Sequence, residues 1–151
     1  MIHYVVGDAT APHVGDSPKI IAHVCNDIGA WGAGFVVPLG ARFPEARRAY
    51  LSEPDRQLGS VQIVEVNSGT LVANMIAQRG IGRGAGGAIP LRYDALEKAL
   101  TRVASVACTI RASVHMPRIG CGLAGGSWPQ VAEIIERQLE GIQVYVYDLK
   151  K

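Results

Sequence analysis

The stretch Ser113-Val-His-Met-Pro117-Arg-Ile-Gly-Cys121-Gly-Leu-Ala-Gly125-Gly-Ser-Trp128-Pro-Gln-Val131-Ala-Glu-Ile-Ile135-Glu-Arg-Gln-Leu139 decides the fold class. Its opening β-branched run predicts a strand over Ser113 to Pro117, and its close predicts a helix over Trp128 to Leu139. Ser127 is placed to cap that helix with Gln130 three residues on, a capping-box pair. Val131, Ile134, Ile135 and Leu139 give the helix one apolar face, and Gly141 supplies its stop. Between the two lies a loop rich in glycine, so the unit reads strand, Gly loop, helix. The fold class it indicates is α/β.

Reading outward, further strands are expected at Ile2 to Val6, Ile20 to Cys25, Val61 to Val66, Leu71 to Ile76 and Ile142 to Tyr147. Helices are expected at about Leu91 to Ala107, opened by Pro90, and at Pro44 to Leu51, ended near Pro54. Runs such as Ile20-Ile21-Ala22 are apolar on both faces, which suits strands buried under helices on two sides of a mostly parallel sheet. At 151 residues the chain fits one domain, 1–151, with no internal repeat or linker.

Composition narrows the functional classes. With 48% hydrophobic and 19% charged residues, the chain carries too much apolar material to be disordered. Its +2 net charge is not concentrated in any window, so the basic footprint of a nucleic-acid binder is missing. No apolar stretch is long enough to span a bilayer. The sequence enters a strand at Ile2 without the regions of a signal peptide, and a cytoplasmic protein is expected. Cys25, Cys108 and Cys121 form no Cys-x-x-Cys unit, so reduced thiols are expected and neither a metal site nor a cofactor is indicated.

Three segments carry candidate chemistry. Gly7-Asp8-Ala9-Thr10 follows the first strand, where a carboxylate and free amides stand at a strand's carboxyl end; the same residues also suit a plain turn. Asn26-Asp27-Ile28-Gly29-Ala30-Trp31-Gly32-Ala33-Gly34 follows the second, and its small residues let backbone amides approach phosphate oxygens. It matches neither the dinucleotide fingerprint nor a P-loop, and a flexible turn explains it as well. Gly120-Cys121-Gly122-Leu123 follows the fifth strand in the same arrangement, so two amide-rich loops can face each other across a diphosphate. No positioned base accompanies Cys121, which reads as a small thiol rather than a nucleophile.

His23-Val24-Cys25-Asn26, the Gly32-Ala33-Gly34 loop and above all Met116-Pro117-Arg118-Ile119-Gly120-Cys121-Gly122-Leu123 resemble the macrodomain family over nearly the whole chain. The branch they resemble contains terminal ADP-ribose protein glycohydrolase and the thymidine ADP-ribosyl glycohydrolase antitoxins. The resemblance implies a three-layer α/β/α fold with a mixed central sheet and ADP-ribose in a cleft at the strand ends. It implies that Asp8 holds the adenine amine with Ala9 and Thr10 lining that end, and that Tyr147 and Leu149 pack on adenine. Asn26, Gly32, Ala33 and Gly34 would lie near the distal ribose and diphosphate, and Pro117, Ile119, Gly120, Cys121, Gly122 and Leu123 would cradle the diphosphate. The implied partners are ADP-ribose and ADP-ribosylated proteins, bound by a monomer.

The sequence departs from that branch at its chemistry. Gln78 and Ala124 stand where the branch has its nucleophilic lysine and its assisting acid. Gln cannot form a Schiff base and Ala cannot transfer a proton. Two readings remain: hydrolysis of ADP-ribosyl groups from protein side chains, acidic-residue esters first, with Gln78 and Asn26 as catalytic candidates and Asp27 as a further polar candidate that also suits a solvated turn; and a reader that binds ADP-ribose without turnover. A different adenine nucleotide or a modified nucleobase is a third. The segment Gly80 to Gly87, five glycines in eight residues, reads either as a lid or as a plain connection. Arg-over-Lys and Gly/Ala-rich usage fits a GC-rich bacterial genome.

Overall fold

The computed structural model describes residues 1–150. Strands β1 (Ile2–Val6), β2 (Lys19–Asn26), β3 (Val61–Asn67), β4 (Thr70–Gln78), β5 (Ser113–Met116) and β6 (Val144–Asp148) form one sheet in the order β1-β6-β5-β2-β4-β3. All neighbours run parallel except β3, which returns antiparallel along β4 at the edge. Helices α1 (Val36–Arg42), α2 (Pro44–Ser52), α3 (Tyr93–Ile110) and α4 (Trp128–Gln138) complete a mixed α/β fold. Among the described residues no helix is long and apolar enough to cross a membrane.

Alternation along the strands splits the core into two layers. Ile20 and Ala22 of β2, with Met75, Val114 and Val146, pack under Leu96, Leu100 and Val103 of α3 and Val131 and Ile135 of α4. Ile21 and Cys25 face the opposite way, with Val72 and Ile76, and meet Leu39, Phe43, Ala46 and Tyr50 of α1 and α2. Apart from the buried His23–Asn74 pair, both layers are apolar, which is why β2 and β4 lack the polar alternation of a half-exposed strand.

The expected strands all form, and the differences lie in the helices. Helix α3 begins at Tyr93, two residues later than Leu91 suggested. Leu91 is held extended instead, bridged to Gln78, its N–H donating to the Ala124 carbonyl while Arg92 N–H donates to Ala77. The helix runs on to Ile110 and closes on Arg111, a non-glycine residue in the left-handed region (φ 58°). The capping box at α4 does not form: Ser127 occupies the N-cap position without a side-chain cap bond. Pro129 removes one of the amides a serine oxygen would accept, and the Ser127 N–H is itself taken up by Tyr93 Oη at 2.9 Å.

Helix α1 is not among the expected helices, and it contains both Pro38 and Gly40. Pro38 sits in the first turn, where its missing N–H costs nothing. Gly40 is required by its neighbour: a Cβ there would lie 2.6 Å from Trp31 Nε1. The buried Trp31 indole N–H rests on this glycine without a hydrogen-bond partner.

Candidate functional site

The chain leaves β2 toward α1 and α2 on one face and leaves the neighbouring β5 toward α4 on the other. Loops that diverge from adjacent parallel strands leave a crevice at their carboxyl ends. A cleft of about 500 Å³ lies there, walled by Gly32, Ala33, Gly34, Phe35 and Val36 after β2 and by Pro117, Arg118, Ile119, Gly120, Gly122 and Leu123 after β5. Asn26, Gln78, Ile81 and Ala124 complete its lining.

The first wall is pinned by one amide. Asn26 Oδ1 accepts from the N–H groups of Ile28 (3.1 Å) and Ala30 (3.0 Å), while its Nδ2 donates to the Ala30 carbonyl at 2.7 Å. The Tyr50 hydroxyl, from α2, donates across Asn26 O and Oδ1 at 2.7 and 2.6 Å and accepts from Gly29 N–H at 3.0 Å. Burial pushes the Tyr50 phenol up to about 12, so it stays a donor. The Asn26 side chain thereby shapes the loop.

The second wall is held by backbone. Gly126 N–H donates to the Gly120 carbonyl at 2.7 Å and Gly125 N–H to Gly122 at 3.1 Å. A Cβ at Gly126 would lie 2.4 Å from Leu91 and 2.5 Å from the Gly120 carbonyl oxygen, so only glycine closes this loop. Cys121 turns away from the cleft: its thiol donates to the Ile119 carbonyl at 3.3 Å and packs beside the α3–α4 core, and burial raises its pKa.

Gln78 is the register partner of Asn26 across a β-bulge, at the adjacent carboxyl ends of β4 and β2. Its Nε2 donates to the Gly80 carbonyl at 3.0 Å, which leaves Oε1 as an acceptor. Asp27 holds the same corner, its Oδ1 accepting from Gly80 N–H at 2.8 Å. His23 borders the cleft floor but is neutral. Burial lowers its pKa to about 4, and its Nε2 faces Asn74 Oδ1 at 2.6 Å. Burial drives the Cys25 thiol pKa upward. No cleft-lining side chain is a carboxylate.

The expected site residues thus divide. Asn26, Gly32, Ala33, Gly34, Gln78, Pro117, Ile119, Gly120, Gly122 and Leu123 line one cleft, whereas Asp8, Ala9, Thr10, Cys121, Tyr147 and Leu149 do not. Asp8 makes a turn, its Oδ1 accepting from Thr10 N–H (2.9 Å) and Thr10 Oγ1 (2.8 Å); Ala9 and Thr10 are buried. Tyr147 is 3% exposed, its hydroxyl bonded to His115 Nδ1 at 2.7 Å and its ring set edge-on to His13. Leu149, just past β6, is open to solvent. Sequence reasoning missed Phe35, Val36 and Arg118 as wall residues. Arg118 is fixed by a two-point pair with Asp148 (2.8 and 3.0 Å) and lies over the rings of Tyr4 and Trp128.

No family model matches the sequence. Among solved structures, a protein of unknown function from Bacteroides thetaiotaomicron is 47% identical with a TM-score of 0.95, covering 99% of this chain and 98% of that one. The macrodomain protein of Streptomyces coelicolor is 47% identical with a TM-score of 0.84, over 98% of this chain and 99% of its own. Of curated relatives, the mouse chromodomain-helicase-DNA-binding protein 1-like is 31% identical across 97% of this chain, which spans only 17% of that protein's length. The ADP-ribose 1''-phosphate phosphatase of Meyerozyma guilliermondii is 25% identical over 96% of this chain and 98% of its own. A sheet of this order, a cleft at the β2–β5 divergence and near-complete overlap with the Streptomyces protein place the chain in the macrodomain family.

Proposed function

We propose that the cleft binds ADP-ribose and that the protein releases ADP-ribosyl groups from acidic side chains of other proteins without a catalytic lysine. The observation that carries this reading is a cleft with a glycine-containing loop in each wall, Gln78 in its lining and no carboxylate among the lining side chains. The walls suit a diphosphate: backbone amides give directed donors without adding charge. One curated relative is named for an ADP-ribose derivative, which supports the ligand class.

The absence of an acid selects among linkages. Cleavage joins a water oxygen to the anomeric carbon as the bond from that carbon to the acceptor oxygen breaks; the water proton goes to solvent. An ester to Glu or Asp departs as a carboxylate that needs no protonation, with a pKa near 4, whereas a serine alkoxide needs a general acid. Gln78 Oε1 is the group offered to orient the water, with orientation supplying part of the rate. Asp8, at the end of β1, keeps Oδ2 for an adenine amine, and Leu149 offers an exposed apolar surface on the same side.

The assay is loss of label from an auto-modified ADP-ribosyltransferase. Release from Glu and Asp, with serine-linked label untouched, is expected; Gln78→Ala should slow release about tenfold while leaving ADP-ribose affinity within about twofold. Binding without release of any label would leave the reader. That second reading is favoured by the commitment of the Asn26 amide to its own loop.

A further inference from the structure

The segment between Gln78 and Leu91 is tethered at its base and free at its tip. Gln78 bridges Leu91, Arg79 N–H donates to the Pro90 carbonyl at 2.9 Å, and Asp27 holds Gly80. Beyond that base the chain turns back through Gly84 N–H to Ala88 carbonyl (2.9 Å), with Gly80, Gly86 and Gly87 in the left-handed region. Ile81 lines the cleft and is 60% exposed, and Leu123, in the wall after β5, is 67% exposed.

Charge is distributed unevenly around this lip. From Val66 to Tyr93 the sequence contains Arg79, Arg83 and Arg92 and no Asp or Glu. Arg92 is spent on the carbonyls of Pro90 and Leu91, and Arg56 is spent on the Tyr50 and Leu51 carbonyls and the Tyr50 ring. Arg79 is exposed and its side chain makes no hydrogen bond or ion pair among the described residues; Arg83 makes one bond, to the Gly87 carbonyl. The carboxylate bonded to this segment, Asp27, accepts from Gly80 N–H. Two available cations therefore flank in sequence Ile81, an exposed residue of the cleft lining three positions past Gln78.

We propose that this arginine lip docks the polypeptide that carries the modified side chain, and that it favours acceptor sites flanked by further acidic residues. The inference rests on the ADP-ribosyl-protein reading above. A peptide fits better than a nucleic acid, because the lip offers two separated guanidinium groups and aliphatic side chains, with neither a continuous basic track nor an aromatic platform for bases.

The test uses synthetic peptides bearing one ADP-ribose on a non-hydrolysable link, flanked by either Glu or Gln, titrated calorimetrically into the full chain. The Glu-flanked peptide should bind about five- to tenfold more tightly than the Gln-flanked one at low salt. That margin should vanish in the R79A/R83A double variant and at high ionic strength. Free ADP-ribose should bind wild type and double variant within about twofold of each other. Equal affinity for the two peptides, a margin that survives the double substitution, or tighter binding of an ADP-ribosylated DNA oligonucleotide would overturn the proposal. No heat with free ADP-ribose would overturn the ligand reading itself, and the docking inference with it.

Discussion

The two walls of the cleft present similarly small residues but are held by opposite means. The wall after β2 is fixed by side chains: one asparagine amide and one tyrosine hydroxyl satisfy the amides of Ile28, Gly29 and Ala30. The wall after β5 is fixed by the lack of a side chain, since Gly126 lies against the Gly120 carbonyl and Leu91. A loop held by side chains loosens by degrees when a partner is lost, whereas one closed through a glycine fails by collision.

Gly126→Ala should therefore be the most damaging single change. The obstructing atom includes a backbone carbonyl that cannot swing aside, and a loss of about 3 kcal/mol in urea unfolding is expected, with ADP-ribose binding lost. A near-silent substitution would show the β5 wall to be yielding. Asn26→Ala removes the bonds to Ile28, Ala30 and Tyr50 and leaves buried groups unpaired, costing about 2–3 kcal/mol. Tyr50→Phe, which keeps the ring, should cost about 1 kcal/mol and weaken binding less than Asn26→Ala does. The reverse order for these two would assign the loop to Tyr50 instead.

A pH series separates the walls from the sheet beneath them. His23 and His115 are both held neutral by burial, each lowered to about 4. His115 is bonded to Ser113 and Tyr147 and faces Tyr145, Lys19 and His13. The unfolded chain takes up protons near 6.5 that the folded chain refuses, so this stability is fully present above about 6.5 and is lost as pH falls toward 4. The slope approaches 1.4 kcal/mol per pH unit for each histidine. Flat unfolding free energy between pH 7 and pH 5 would contradict this assignment. Gln78→Ala is the gentlest for stability, within about 0.5 kcal/mol, because among the described residues its side chain makes one hydrogen bond, to the Gly80 carbonyl.

The strands and both glycine loops were legible because periodicity and glycine clustering are local signals. What escaped reading depends on partners far away in sequence. Helix α1 is hidden by a glycine that exists to admit Trp31, and the start of α3 is delayed by bonds from Leu91 and Arg92 to Ala124 and Ala77. Tyr147 alternates correctly for a strand. Only the packed structure shows its hydroxyl turned to His115 and its ring covered. The commitment of Asn26 to its own loop was equally invisible, since the Tyr50 that completes it lies 24 residues away.

The most direct test of the cleft as an ADP-ribose site is an amide-resolved NMR titration with the free nucleotide sugar. Saturable shifts at micromolar ligand should appear together on Gly32 and Gly34 of one wall and Gly120 and Gly122 of the other. Shifts confined to one wall, or none at millimolar ligand, would contradict the account.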